Sequence, residues 1–250
     1  MKRLGLLALL VTMPGLVLAV DVDGQVAWSQ RIEMSTPVSG VVDEVLVNVG
    51  DRVEKNDVLL RLQPHRFKSA LSSSTAAKKD ALYKLKEAER EWDRSQELYE
   101  RTVLADRDLQ LAENDLVAAK AVYAKAEAHY NSTKLDMAES VMRAPFAAVV
   151  LERHAQPGQS VVTRLQTVPL VTLAATTHYH ATGSVSASDA NQLASGQAVA
   201  VTVNGQRYNG ILSSVGFEPV KDTGSYPVIV RFTTGGSLLR AGQAATLHLP

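Results

Sequence analysis

The chain of 250 residues has no cysteine, few signs of net charge and one long region without glycine or proline. The lack of cysteine excludes disulfide bonds and lipid attachment through an N-terminal cysteine, so the fold must be held by packing. The formal net charge is zero, which argues against nucleic acid as a partner. None of the 15 glycines lies between Pro64 and Pro145, and the 80 residues of that interval also lack proline. Their composition therefore indicates helix.

Residues 1–19 have the pattern of a secretory signal. Lys2 and Arg3 form a basic start, Leu4–Leu18 is apolar, and small residues lead to Ala19. We expect cleavage after Ala19, which would leave 24 basic and 26 acidic residues. An uncleaved anchor is the alternative, and it is disfavoured because a spanning helix needs roughly 20 apolar residues.

Two short segments on either side of the helical region repeat each other at a constant offset. Pro37 aligns with Pro145, and the same offset of 108 positions pairs Val41 with Val149, Gly50 with Gly158, Val53 with Val161 and Leu62 with Leu170. Both segments have the β-branched residues and Gly-containing turns of short strands. Because each half has little apolar surface, the halves should pack face to face, with Val41 and Val149 buried in a shared core.

The region between the repeats is predicted to be a helical hairpin. Pro64 suits a first helical position. The return arm has nine apolar or small residues in heptad register: Leu109, Ala112, Leu116, Ala119, Tyr123, Ala126, Tyr130, Thr133 and Met137. The outgoing arm has a looser series, which Lys78 interrupts: Ala81, Leu85, Ala88, Trp92, Ser95 and Tyr99. Thr102 to Asp106 is the predicted reversal, with either of these two residues as the cap of the second helix.

The segment from Thr177 to Pro250 is predicted to form about five strands and one short helix that begins near Ser188. Such a set fits a small barrel, to which residues 20–35 are expected to add a strand. The fold class is therefore α+β, multi-module and elongated. Its expected parts are a signal peptide (1–19), the N-terminal strand region (20–35), a first lipoyl-like half-motif (36–64), the hairpin (65–138), a second half-motif (139–174) and the β-barrel (175–250).

The residues of these modules resemble a known family. The segments TPVSGVVDEVLVNVGDRVEKNDVLLRL and MRAPFAAVVLERHAQPGQSVV, on either side of the hairpin, resemble the split lipoyl domain of periplasmic adaptor proteins, also called membrane fusion proteins. The segments SASDANQLASGQAVAV and LLRAGQAATLHL are similar to the adaptor barrel. The resemblance covers residues 24–250 and is most specific around Ala144-Pro145-Phe146 and Pro157-Gly158-Gln159.

This resemblance implies a periplasmic adaptor of a tripartite efflux pump, without enzymatic activity or a cofactor. Such an adaptor bridges an inner-membrane transporter, expected here to be of the resistance-nodulation-division type, and a TolC-type outer-membrane channel. Several copies, most plausibly six, would form a ring. Many members also have a membrane-proximal domain; none is recognisable here, so contacts with the transporter are expected mainly from the barrel. An adaptor of an ATP-driven exporter is one alternative, and an envelope scaffold or sensor with a coiled-coil arm is another.

The resemblance also implies a docking site at the hairpin tip. Family members that dock on TolC-type channels have an arginine, a leucine four residues later and a serine seven residues beyond it. Arg94 and Leu98 match this pattern, Leu104 is also as expected, and Ala105 stands where the serine would be. The alternative is that Arg94 and Leu98 are ordinary residues of a helix surface.

Other chemistry has weaker support in the sequence. A covalently modified carrier lysine is disfavoured because the hairpin occupies the place of the turn that would present it. His178 and His180 alternate on one predicted strand and could share a metal, but no third ligand is apparent, so we expect histidines of the barrel rim. Neither a Gly-x-Ser-x-Gly elbow nor a glycine loop for phosphate is present.

Overall fold

The computed structural model describes residues 20–163, 168–221 and 223–250. The predicted signal peptide lies outside the described residues. The chain forms two compact units: one contains the residues up to Gln30 together with Ala175–Pro250, and the other is Arg31–Ala174. The predicted α+β fold is confirmed, with a split lipoyl-like β unit, an inserted helical hairpin and a β-barrel.

The elements follow one another in a simple order. The first unit contains β1 (Val20–Trp28), β10 (Tyr179–Val185), α3 (Ala187–Ala190), β11 (Ala198–Val203), β12 (Gln206–Val215), β13 (Tyr226–Phe232) and β14 (Ala244–Leu249). The second contains β2 (Arg31–Met34), β3 (Gly40–Val45), β4 (Arg52–Val53), β5 (Val58–Leu62), α1 (Pro64–Glu100), α2 (Asp106–Glu139), β6 (Val141–Arg143), β7 (Ala148–Arg153), β8 (Ser160–Val161) and β9 (Val171–Ala175).

The lipoyl-like unit is built by reciprocal pairing between the two repeats. Strand β3 of the first half pairs with β8 of the second, and β7 of the second half pairs with β4 of the first. The bonds between the halves obey the same offset, since the Gly50 N–H donates to the Val150 carbonyl at 2.9 Å and the Gly158 N–H to the Val42 carbonyl at 2.8 Å. Each half therefore supplies strands that complete the other, and neither forms its sheet alone.

The shared core lies one position away from the predicted one. Val42 and Val150 are 0% and 1% exposed and belong to a single cluster with residues of both halves. Val149 is also buried, but Val41 is only half-buried, so the prediction of a buried Val41 is wrong. Side chains alternate between the faces of a strand, and in β3 the inward face is occupied by Val42.

The repeated turns explain why both halves contain a glycine followed by a polar residue. In the first half the Asn48 N–H donates to the Asp51 carboxylate at 2.7 Å, and in the second the Gln156 N–H donates to the Gln159 side-chain oxygen at 3.0 Å. The third residue of each turn is a glycine with a positive φ, 95° and 82° respectively. Only glycine takes this conformation without steric cost, and the fourth residue satisfies the free N–H of the first.

The second β module is a closed six-stranded barrel in the order β1-β10-β13-β12-β11-β14. Its core is dominated by Tyr179, Phe232 and Leu247, each at most 2% exposed. Strand β1 lies in this barrel, whereas β2 pairs with β9 of the other unit. Residues 20–35 therefore do not all join the barrel as expected, because the chain leaves it after Trp28 and Ile32 packs with the lipoyl-like core.

The two helices of the hairpin pack along the predicted seam. All nine predicted positions of the return arm are buried or half-buried. Ser74 and Thr133 form a buried hydroxyl pair at 2.6 Å across the seam. Lys78, which the sequence pattern treated as an interruption, reaches the Glu127 carboxylate at 2.9 Å and lies 4.9 Å from the centre of the Tyr130 ring.

The Lys78 ion pair is reinforced by its surroundings. The hydrogen bond to Glu127 raises the pKa of Lys78, and the same bond lowers the pKa of Glu127. The Tyr123 hydroxyl donates to the Glu127 carboxylate at 3.3 Å, and the methylene stem of a lysine can cover apolar surface while its charge stays paired. The seam is therefore continuous through Lys78.

Candidate functional site at the hairpin tip

The first helix of the hairpin ends in a tight cap of backbone hydrogen bonds. The Val103 N–H donates to the Leu98 carbonyl at 3.0 Å, and the Thr102 N–H donates to the Tyr99 carbonyl at 2.8 Å. This pair of bonds defines a Schellman cap, in which the residue at the position of Thr102 takes the left-handed conformation. Thr102 has φ 58°, although the position usually holds glycine, so the tip contains a strained β-branched residue.

The second helix begins without a side-chain cap. The capping residue is Ala105, which has an extended backbone, and its carbonyl accepts from the N–H groups of Asp108 and Leu109 at 3.0 and 3.2 Å. The predicted cap, Thr102 or Asp106, is therefore wrong, because Asp106 is already the first helical residue. Asp106 and Asp108 still favour this end, since carboxylates near a helix N-terminus interact well with its dipole.

The structure brings three of the four predicted site residues together at the reversal. Leu104 and Ala105 lie in the connection between the helices, and Leu98 lies in the last turn of α1. Leu98 and Leu104 are half-buried, so the expectation that Leu98 simply faces outward is corrected. Arg94 is exposed on α1, roughly 10 Å before the reversal at 1.5 Å per helical residue.

Two residues of the tip were not among the predicted site residues. Val103 is 71% exposed at the apex, which makes it the most exposed large apolar side chain on the described hairpin. Tyr99 was assigned to the seam, but its side chain is 40% exposed. A signal for Val103 was present in the sequence, since it is an apolar residue inside the predicted reversal.

The polar groups of the tip are held by short-range contacts. The Arg94 guanidinium donates to the Glu91 carboxylate at 2.8 Å, one helical turn away. Both side chains are more than half exposed, and such a surface ion pair contributes only about 0–1 kcal/mol. A hydrogen bond from the Tyr99 hydroxyl to Asp106 raises the pKa of Tyr99 and links the two helices across the reversal. Arg94 can therefore exchange Glu91 for another acceptor at little cost.

The histidines considered for metal binding lie in a different environment. His180 pairs across strands with Arg231, and burial, with further contributions from Arg231 and His178, lowers the pKa of His180. The cationic Arg231 opposes a second cation at this place. In the part of the chain that the structure describes, no group of three or more His, Asp or Glu residues is arranged to hold a metal ion.

The barrel wall contains one constellation that the sequence did not reveal. The Thr202 hydroxyl lies 2.9 Å from His248 Nε2, and His248 Nδ1 lies 2.5 Å from the Asp21 carboxylate. These contacts resemble a nucleophile, base and orienting acid, but acyl transfer also needs free N–H donors for an oxyanion. Strand β11 is paired on both sides around Thr202, so its backbone donors are engaged in the sheet. The constellation instead links β1, β14 and β11.

No helix among residues 20–163, 168–221 and 223–250 combines the length and apolar character that a bilayer crossing requires.

Comparisons with known proteins agree on one family. The family model of the CzcB-like barrel-sandwich hybrid domain matches residues 30–172. The macrolide export protein MacA of Escherichia coli O157:H7 is 26% identical over 96% of this chain and 70% of its own length. The cation efflux system protein CzcB of an Alcaligenes strain is 32% identical, over 50% of this chain and 24% of its own.

Solved structures with the same fold include other members. The membrane fusion protein Spr0693 of Streptococcus pneumoniae superposes with a TM-score of 0.70, at 20% identity, over 92% of this chain and 98% of that one. A MacA-MexA chimera with the Pseudomonas aeruginosa MexA hairpin gives a TM-score of 0.66 at 18% identity, over 92% and 79% of the two chains. These matches confirm the resemblance seen in the repeats and the hairpin. The chain belongs to the CzcB-like barrel-sandwich hybrid family and is a membrane fusion protein, a periplasmic adaptor of efflux systems.

Proposed function

We propose that this adaptor bridges an inner-membrane transporter of the resistance-nodulation-division type and a TolC-type outer-membrane channel in the periplasm, after cleavage at Ala19. It positions its partners and performs no chemistry itself. The observation that supports this proposal best is the hairpin of 37 and 34 residues with an apolar apex at Val103. At 1.5 Å per residue its helices are roughly 50 Å long, so the apex can reach a partner far from the β modules.

The tip has the composition of a small docking surface. Val103 offers an exposed apolar side chain, with Leu98 and Leu104 half-buried beside it in the chain. Apolar side chains of this kind would fill a notch between channel helices. Arg94 would leave Glu91 and donate two parallel hydrogen bonds to channel carboxylate or carbonyl oxygens. Ala105 is exposed and small, which allows close approach of a partner helix.

Assembly into a ring, with six copies as the resemblance implies, has support from the outer face of α2. The residues of this helix that lie opposite the seam are largely apolar or small and are exposed: Val117, Ala121, Ala124, Ala128 and Leu135. Val117 and Leu135 are 59% and 55% exposed. Such a face is suited to a helix of a neighbouring copy. Crosslinking in intact envelopes should give a ladder of multimers, and a species that stays monomeric would contradict the ring.

The class of transporter is the open choice within this proposal. The relatives include a macrolide export protein and a cation efflux protein, and the match to the macrolide exporter covers more of this chain. The alternative is therefore an ATP-driven exporter. Purification of the tagged adaptor from envelopes, followed by mass spectrometry, separates the two, because only an ATP-driven transporter would bring a nucleotide-binding subunit or domain.

Docking through the tip is tested by a charge placed at the apex. Val103→Asp should abolish export and lower crosslinking to the channel by about 10-fold or more, as for loss of an interface anchor. Tyr83→Asp is the matched control, since Tyr83 is 61% exposed on the same hairpin but far from the apex. Because the chain has no cysteine, single cysteines at these two positions give unambiguous crosslinks.

The same experiment includes the position chosen from the sequence. Leu98→Asp should also abolish export, but Leu98 is half-buried, so its abundance and helicity must be measured in parallel. Full export with Val103→Asp at normal abundance would rule out docking through the tip and leave Arg94 and Leu98 as residues of an ordinary helix surface.

A further inference from the structure

One aromatic side chain of the barrel is fully exposed to solvent. Phe217 is 99% exposed, more than any other large apolar residue in the described part of the chain. Leaving a phenylalanine in water forgoes the favourable burial that such a side chain normally provides. An isolated exposed apolar residue is common on protein surfaces, so the proposal below depends on the loop, the cavity and the position of Phe217 as well.

The loop that carries Phe217 is ordered by its own hydrogen bonds. It connects β12 to β13, and the Gly216 N–H donates to the Pro227 carbonyl at 2.7 Å. A second bond, from the Val220 N–H to the Ser225 carbonyl at 2.8 Å, closes the loop further out. A Cβ at Gly216 would lie 2.5 Å from the Pro227 ring, so a glycine is required at this turn. The loop therefore presents the Phe217 ring in a fixed position.

A cavity of about 450 Å³ lies beside this ring, and Phe217 forms part of its wall. The other lining groups include the apolar side chains of Leu193 and Val215 and the uncharged polar side chains of Asn191 and Ser214. Cavities of this size can hold one or two side chains of a partner. An exposed aromatic ring next to an uncharged cavity has the arrangement of an interface anchor and its neighbouring pocket.

The position of this face in the barrel indicates which partner it meets. It lies at the end where β1 begins and β14 finishes, and Val20 and Pro250 line a smaller pocket that shares Leu193 with the cavity. The apolar N-terminal segment of the sequence directly precedes Val20. The chain passes to the other unit from the opposite end of the barrel, after Trp28 and before Tyr179.

We propose that Phe217 and the adjoining cavity, together called the Phe217 face, bind the periplasmic part of the inner-membrane transporter. Phe217 enters an apolar pocket of the transporter, and the cavity accepts an uncharged, mainly apolar side chain from it. A lipid surface fits less well, because Glu218 and Asp189 lie at this end beside a single nearby lysine, Lys221, whereas anionic lipids attract clusters of basic residues. The inference rests on the proposed adaptor function and assigns its transporter contact to specific residues.

The test places a photoreactive benzoylphenylalanine at position 217 of the full chain, expressed with its native genetic neighbours. The expected product is a crosslink to a polytopic inner-membrane protein, identified by mass spectrometry. The same probe at Ile211, which is 47% exposed on the wall of β12, is the control and should give no such product. A crosslink from position 217 only to lipid or only to a second copy of the chain would overturn the proposal.

Two substitutions test the ring and the cavity separately. Phe217→Ala should lower recovery of the transporter by about 10- to 30-fold, as expected for an interface anchor, without a loss of folding because the side chain is exposed. Ser214→Tyr should fill the cavity and produce a similar loss, while Ile211→Ala should have no effect. Normal recovery with either of the first two variants would contradict the proposal.

The channel contact at the other functional site serves as an internal reference. A cysteine at Val103 should still crosslink to the outer-membrane channel in the Phe217→Ala variant. If that crosslink persists while position 217 gives no transporter product, the Phe217 face is wrong and the adaptor function stands. Loss of channel crosslinking in the unmodified protein would instead contradict the adaptor function itself.

Discussion

The strained residue at the hairpin tip leads to a quantitative prediction: Thr102→Gly should stabilise the reversal. Thr102 occupies the left-handed position of the cap that ends α1, with φ 58°. Its neighbours Val103 and Leu98 are already joined by the backbone hydrogen bond that glycine would normally support. The substitution therefore keeps the cap and removes the clash between the Cβ and the backbone.

The expected gain is the difference between two terms. The left-handed conformation costs an L-residue about 1–2 kcal/mol. Glycine loses about 0.5–1 kcal/mol of this advantage because its unfolded chain has more conformational freedom. The hydroxyl bond from Thr102 to the Arg101 carbonyl is exposed, so water can replace it. A net gain of about 1 kcal/mol corresponds to a roughly fivefold change in a local opening equilibrium.

Native-state hydrogen exchange measures this local equilibrium directly. Exchange at the Val103 amide should slow about fivefold in Thr102→Gly, because that amide donates to the Leu98 carbonyl in the cap. Thr102→Ala is the control, since it removes the hydroxyl but keeps a Cβ in the left-handed conformation, and its exchange should stay near that of the unmodified chain. Equal slowing in both variants, or none in the glycine variant, would refute strain as the cause.

Three further predictions concern the core, the insertion and the cap of α2. Val42→Asp should unfold the lipoyl-like unit at a cost of several kcal/mol, whereas Val41→Asp, at a half-buried site, should cost clearly less; chemical denaturation that shows equal losses would contradict the assigned core face. Deleting residues 72–133 and adding a short turn should leave that unit folded, because Phe67 stays in its core; a molten product by near-UV circular dichroism would show that the halves need the hairpin. Ala105→Ser should preserve or improve export and stabilise α2 by about 1 kcal/mol, while Ala105→Gly, also a better cap than alanine, separates cap stability from a hydroxyl contact with the channel; lower export with serine alone would count against the family pattern.

Most of the fold was predictable because its signals are periodic or repeated. The offset of 108 positions predicted the packing of the two halves, and the heptad series predicted the seam of the hairpin. Lys78 shows the limit of such patterns, since a lysine at a seam position is an interruption in sequence terms. In the structure its charge pairs with Glu127, and its ammonium group lies over the Tyr130 ring.

The functional surfaces were less predictable because they depend on where the chain turns. The apex could be placed between the helices, but the exposure of Val103 follows from the geometry of the cap at Thr102. The exposure of Phe217 similarly follows from the bond that closes its loop at Gly216. The contact between His248 and Asp21 joins residues 227 positions apart in the chain, and only closure of the barrel brings them together.

The distribution of packing along the hairpin suggests why its tip would need a partner. At the base, Phe67 and Met137 pack with the lipoyl-like core, so this end is fixed by a large apolar cluster. Further out, the buried seam residues are mostly alanine, serine and threonine, and each buries little apolar surface. The reversal itself contains a strained Thr102 and an alanine cap, both of which cost stability. Contacts of Val103 with a channel would add burial where the hairpin has least of its own, and the outermost amides should therefore be the ones that gain most protection when the channel binds.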